Sequence, residues 1–177
     1  YRDMTIESDY FDLSGPDALK TVFRNHATGI SLVTAADQAG NPIGFTASSV
    51  TSLGSNPPLV SLNIAQGSST YPEVVPGKLM AIHTLDAESL ELAIRLAGPK
   101  ELRFTDNNFS QGPEGTPIFT DASSVLLARV INKFEVASNA VVVLSAENAH
   151  LNRFCETPLV YFQRGYHTIG ARLQDNF

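Results

Sequence analysis

A chain of 177 residues has room for one domain with one core, and 43% hydrophobic with 17% charged residues is the composition of an ordinary globular protein, neither disordered nor fibrous. Eighteen acidic against twelve basic residues leave a net charge of −6, which argues against nonspecific binding of nucleic acid or of an anionic membrane surface. Cys155 is the only cysteine, which excludes an intrachain disulfide and a cysteine-based zinc site, and the longest apolar run, residues 140–144, is far below the ~18 needed to span a bilayer. The expectation is a cytoplasmic protein with no metal centre.

In chain order, Ser14, Pro16 and Asp17 form a helix start, with Leu19, Val22, Phe23 and His26 on one face and Gly29 beyond the end. Strands are predicted over 30–35, 43–50 and 59–64, separated by Gly- and Pro-containing turns. A short helix follows over 69–75, then a strand over 79–84. Asp86 caps a helix in which Leu90, Ala93, Ile94 and Ala97 recur at helical spacing, and Gly98-Pro99 stops it. Residues 100–121, rich in Gly, Pro, Asn and Thr, read as a long functional flap or loop. Two long strands, 124–136 and 140–148, and a last hairpin over 159–163 and 166–169 complete the sheet. Arg24, Arg129, His26 and His83 read as structural side chains and Cys155 as an apolar filler. Without βαβ alternation or a G-x-G-x-x-G segment, a mainly β fold with few short helices remains, an antiparallel barrel closed or nearly so.

Within it, residues 45–62 (FTASSVTSLGSNPPLVSL) concentrate hydroxyls, and Ser68, Ser69 and Thr70 follow at a predicted helix start. Hydroxyl donors suit a polar ring edge and a helix start suits an anion, so the pair fits a ligand with both features, such as flavin mononucleotide.

The segments FRNHATGISLVT (23–34), GFTASSVTSL (44–53), NPPLV (56–60), SST (68–70) and RF (103–104) resemble, in order and spacing, the flavin-reductase-like family of FMN-binding split barrels. The resemblance spans about 17–170, within a single domain over 1–177. It implies a six-stranded antiparallel Greek-key split β-barrel that forms a homodimer. It also implies NADH or NADPH as electron donor, FMN (or FAD) as acceptor, and an oxygenase partner receiving reduced flavin. By position, Thr46, Ala47, Ser48 and Ser49 would line the flavin ring and Asn63 would lie close to the ring or ribityl chain. Ser68, Ser69, Thr70 and Arg103 would hold the phosphate, and Phe104 would pack near the flavin tail. Hydride passes directly between the two cofactors, so no catalytic acid, base or metal is expected.

The family's Gly-Asp-His turn, whose His is linked to the nicotinamide nucleotide, is matched to Ser138-Asn139-Ala140. Asn139, Tyr166 and His167 are then the candidates on the nicotinamide side. The lost His keeps open an alternative, a flavin carrier or another split-barrel oxidoreductase that does not use NAD(P)H directly.

Overall fold

Period-two alternation of apolar and polar residues builds most of this molecule, a computed structural model that describes residues 10–170. Its strands are β1 (Thr28–Gly29), β2 (Ser31–Ala36), β3 (Pro42–Ala47), β4 (Thr51–Ser55), β5 (Pro58–Ala65), β6 (Leu79–Thr84), β7 (Ser110–Gln111), β8 (Pro117–Ile118), β9 (Ser124–Val136), β10 (Asn139–Leu151), β11 (Leu159–Phe162) and β12 (Gly165–Thr168). The α-helices are α1 (Gly15–Arg24) and α2 (Leu90–Ala97).

Seven strands form one antiparallel sheet in the order β3-β2-β6-β9-β10-β5-β4. Strands β3 and β4 are its two unpaired edges, yet only residues 48–50 connect them. Six interstrand steps of about 4.8 Å would hold the edges of a flat sheet about 29 Å apart, while the four peptide steps from Ala47 to Thr51 reach about 15 Å. The sheet therefore curls until its edges approach without pairing. Inside the curl lies one core, to which β2 gives Val33 and Ala35, β5 gives Leu62 and Ile64, β6 gives Met80 and Ile82, and β10 gives Ala140, Val142 and Leu144.

The opposite face of β2 and β6 is covered as well. Leu32 packs with Leu92, Ala93 and Leu96 of α2, with Phe119, and with Leu159 of β11, which explains why the last five residues of β2 are all buried. His83 pins this second layer: its Nε2 accepts the Phe119 amide at 3.1 Å and its Nδ1 faces the Leu32 carbonyl at 3.3 Å.

Several expectations change. The strand expected over 43–50 stops at Ala47, and 51–55 form a separate edge strand. The helix expected over 69–75 is only a 3-10 turn, Tyr71–Glu73, because Pro72 and the closing Pro76-Gly77 leave no room for a second turn. The hairpin β11-β12 does not close the main sheet but joins β1 in a three-stranded sheet of its own, so the main sheet holds seven strands rather than six. Residues 100–121, expected as a flap or loop, carry two 3-10 turns, the β7-β8 ribbon, and an aromatic cluster of Phe104, Phe109 and buried Phe119. Helix α1 has no buried residue, and His26, expected on its packed face, is exposed beyond its end.

Candidate flavin site

A cleft of about 360 Å³ opens along the unpaired edge of β3. Gly44, Ser69, Thr70, Lys100, Arg103 and Phe104 line it, so four of the candidate cofactor residues meet there although they lie more than thirty positions apart. Three pieces of local chemistry shape the cleft. Arg103 is fixed by two main-chain acceptors, its Nε donating to Gly98 O at 2.9 Å and its Nη1 to Gly44 O at 2.7 Å, with Nη2 left over. Burial pulls its pKa below the ordinary guanidinium value, a cost that a neighbouring anion would offset. At Gly44 a Cβ would sit 2.7 Å from Val33 O and 3.3 Å from the Phe104 ring, so only glycine lets Arg103 and Phe104 close on the strand.

The third is the turn after β5. Ser68 Oγ accepts the Thr70 amide at 3.3 Å, and the Thr70 hydroxyl, 1% exposed, has no hydrogen-bond partner. A buried unpaired hydroxyl costs about 1–3 kcal/mol, and a phosphate oxygen in the cleft would satisfy it. The residues thus fit the phosphate of FMN. Asp37 also borders the cleft but is spent on its own turn. It accepts from the Asn41 side chain and amide and from the Ala39 amide, which holds its carboxyl below the usual range.

The ring candidates sit where β3 crosses to β4. Ala47 is buried and Ser48 exposed, while Thr46 donates its hydroxyl to Ala93 O of α2 at 2.8 Å, a contact that docks the helix on the strand and takes that hydroxyl away from a ligand. Ser49 Oγ accepts the Asn63 amide at 2.9 Å, bracing the crossover against β5. Asn63 itself is exposed, and its neighbour Ala65 pairs with Asn139, so Asn63 and Asn139 are diagonal neighbours on the outer sheet face.

Asn139 does not meet the other two nicotinamide candidates. Tyr166 and His167 belong to the three-stranded sheet, where Tyr166 packs on Tyr161 and the second core, and His167 Nε2 lies 3.1 Å from Phe162 O. Ala137 has φ of +52°, a conformation glycine would favour, and Ala140 is 1% exposed in the main core. A side chain at position 140 thus faces the interior, while Asn139 in the same turn is exposed. Lys100 and Gly44 were missed as site residues; a glycine inside a strand was the available signal.

Residues 23–170 match the family model described as "Flavin reductase like domain". The chain is 30% identical over 138 residues to the stachydrine N-demethylase reductase subunit Stc3 of Rhizobium meliloti (strain 1021), covering 78% of this chain and 59% of the relative. It is 32% identical over 145 residues to the FMN reductase (NADH) RutF of Bradyrhizobium diazoefficiens, covering 80% and 79%. The crystal structure of a flavin reductase domain protein from Arthrobacter sp. FB24 superposes with a TM-score of 0.82 at 32% identity, over 90% of this chain and 98% of that one. The chain spans about half the length of its Rhizobium meliloti relatives, 51% of one and 59% of Stc3. With a family match over most of its length and a cleft that suits a flavin phosphate, this chain belongs to the flavin reductase-like domain family.

Proposed function

We propose that this chain is an NAD(P)H-dependent flavin reductase that binds FMN at the β3 edge and hands reduced flavin to a partner oxygenase. The observation that carries the reading is the buried, unpartnered Thr70 hydroxyl beside the anchored Arg103 in the cleft. Ser68, Ser69, Thr70, Arg103 and Lys100 would hold the phosphate, Phe104 would pack on the flavin tail, and the main chain of Thr46, Ala47, Ser48 and Ser49 with Asn63 would orient the ring. When bound, FMN supplies the hydride acceptor. The protein's part is to fix the ring edge against the braced 48–50 crossover, present amides to the growing negative charge, and exclude water.

The name of RutF supports NADH and FMN as the reacting pair, and that of the Stc3 reductase subunit supports delivery to a separate oxygenase component. The curled seven-stranded sheet with unpaired edges supports the split-barrel reading, with a homodimer as the working unit and the cytoplasm as its place. Among the described residues no helix is long and apolar enough to cross a membrane. The carrier reading without NAD(P)H rests on the family's turn His, which residues 137–140 lack, and the names of the NADH-dependent relatives favour the reductase reading over it.

The test is anaerobic absorbance of the protein with FMN, before and after NADH or NADPH is added. Bleaching of the oxidised flavin band well above the protein-free rate is expected, and FMN that binds but stays oxidised would sink the reductase assignment. Replacing Ser69 and Arg103 together by Ala should weaken FMN binding by roughly a hundredfold, since each phosphate hydrogen bond contributes about 1.5 kcal/mol or more.

A further inference from the structure

The turn that carries Ser68, Ser69 and Thr70 is held at both ends by the tip of a hairpin remote in sequence. At its near end, Gln66 reaches every carbonyl of the turn between β9 and β10. Its amide donates to Ser138 O at 2.9 Å, and its side-chain nitrogen donates to Ala137 O at 2.8 Å and to Asn139 O at 3.3 Å. The φ of +52° at Ala137 costs stability in a non-glycine residue and persists where surrounding contacts hold it.

At the far end stands Tyr71, the residue after Thr70. Its ring packs against the main core, its hydroxyl donates to the Glu135 carboxylate, and Lys133 Nζ lies 3.9 Å from the ring centroid. Lys133 and Glu135 pair with Val142 and Ala140, so they sit on the hairpin face that carries those core residues. Towards the tip this face changes from apolar to charged, and a tyrosine suits the change, its ring meeting the core and its hydroxyl the carboxylate.

Between the two anchors the chain has little slack. Ser68 donates its amide to Ala65 O at 3.0 Å, and its own carbonyl accepts the Tyr71 amide at 3.0 Å. Ser68 Oγ accepts the Thr70 amide at 3.3 Å, so a displacement of Tyr71 passes directly to Ser68 and to the buried, unpartnered Thr70 hydroxyl. A binding subsite needs its donors held to within about 0.5 Å by packing and by further hydrogen bonds. Here those bonds come from the hairpin tip, with Glu135 lying 64 residues beyond Tyr71.

We infer that Gln66 and Tyr71 are positioning residues for the flavin phosphate, through which the β9-β10 tip clamps the phosphate turn in its binding geometry. The inference rests on the reading of this turn as the phosphate seat. It makes Glu135, which does not line the cleft, a determinant of how much the phosphate counts in flavin recognition. Coupling of this kind is reciprocal, so a bound phosphate steadies the hairpin tip as much as the tip favours the phosphate.

Riboflavin has the ring and ribityl chain of FMN without its phosphate, so the ratio of the two affinities reads the phosphate seat alone. In fluorescence titrations of the full chain, Tyr71→Phe, which keeps the ring, and Glu135→Ala should each weaken FMN by about fivefold and leave riboflavin within about twofold. Together they should weaken FMN no more than either alone, because both remove the same bond. Glu135→Gln, still an acceptor, should bring FMN back to within about twofold of the wild type, and Gln66→Ala should selectively weaken FMN from the other end. Should Gln66→Ala fail to fold by circular dichroism, Tyr71→Phe still decides the matter. Amide exchange over residues 135–139 should slow with FMN and much less with riboflavin. Equal losses for the two flavins would reduce Tyr71 and Glu135 to a purely structural role, and unchanged FMN affinity in both variants would overturn the clamp while leaving the phosphate seat in place. A wild type that binds riboflavin as tightly as FMN would refute the phosphate seat itself, and the clamp with it.

Discussion

His83 is the side chain whose chemistry is most at odds with its surroundings. Burial lowers its pKa from 6.5 to about 4, with the Leu32 carbonyl opposing the shift only in part. The unfolded chain takes up a proton near pH 6.5 while the folded chain resists until about pH 4. The stability conferred by neutral His83 is therefore full above pH 6.5 and lost as the pH falls towards 4, by about 3 kcal/mol in all. His83→Gln keeps one acceptor and one donor but cannot titrate. It should be less stable than the wild type at pH 7 by about 1–2 kcal/mol for imperfect hydrogen bonds, and should overtake it near pH 4. Urea midpoints across that range check the crossing; parallel curves would mean that the folded chain protonates His83 as readily as the unfolded one. Sequence indicated a structural His83 but not its burial, because a histidine in an apolar strand reads the same whether or not both faces of that strand are covered. The same blindness hid Thr46: its hydroxyl looked free for a ligand until α2 was seen to offer Ala93 O.

Among the elements, the entry into α2 is tied down by Arg153. Arg153, just beyond β10, donates through Nε and Nη2 to Asp86 at 2.8 and 2.6 Å and through Nη2 to Asp121 O at 2.7 Å. Asp86 in turn caps the segment leading into α2 through the reciprocal contact with Ser89. The Arg153 hydrogen bonds come first among the causes that hold the Asp86 carboxyl below its usual range, so this contribution is present above the unfolded pKa near 3.8 and fades as pH falls through the folded one. Asp86 is 3% exposed, whereas the Arg153 side chain keeps 28% of its surface. Arg153→Ala should therefore cost about 3 kcal/mol at pH 7 by stranding a buried carboxylate, and Asp86→Asn markedly less, since Arg153 keeps Asp121 O and water. Equal losses below about 1 kcal/mol in chemical denaturation would show that the pair does not hold the helix. The cap at Asp86 was legible in the sequence and its partner was not, because Arg153 lies 67 residues away. The strands were largely legible from their alternation. The order within residues 100–121 was not legible, because Gly and Pro mark turns equally in an open flap and in a ribbon folded over an aromatic cluster.

For the whole molecule, the curled sheet leaves apolar surface that one copy does not cover. Helix α1 exposes Leu19, Val22 and Phe23 at 61, 62 and 60%, and Phe11 before it at 71%. A ten-residue helix is marginal alone in water and usually owes its stability to a packed face, yet no residue of α1 is buried. Leu19 and Val22 thus remain for another surface, and a second copy of this chain is the occupant the family resemblance implies. Burying what remains exposed of Leu19 and Val22 in both protomers would contribute about 4–7 kcal/mol before the cost of association, enough for the helix to weigh on the oligomeric state. Sedimentation at micromolar concentration should give a species of twice 19.1 kDa, and Leu19→Asp with Val22→Asp should give the monomer with an unchanged far-ultraviolet spectrum. A monomeric wild type would refute the dimer, and a dimer indifferent to both carboxylates would place the protomer contact elsewhere on the molecule.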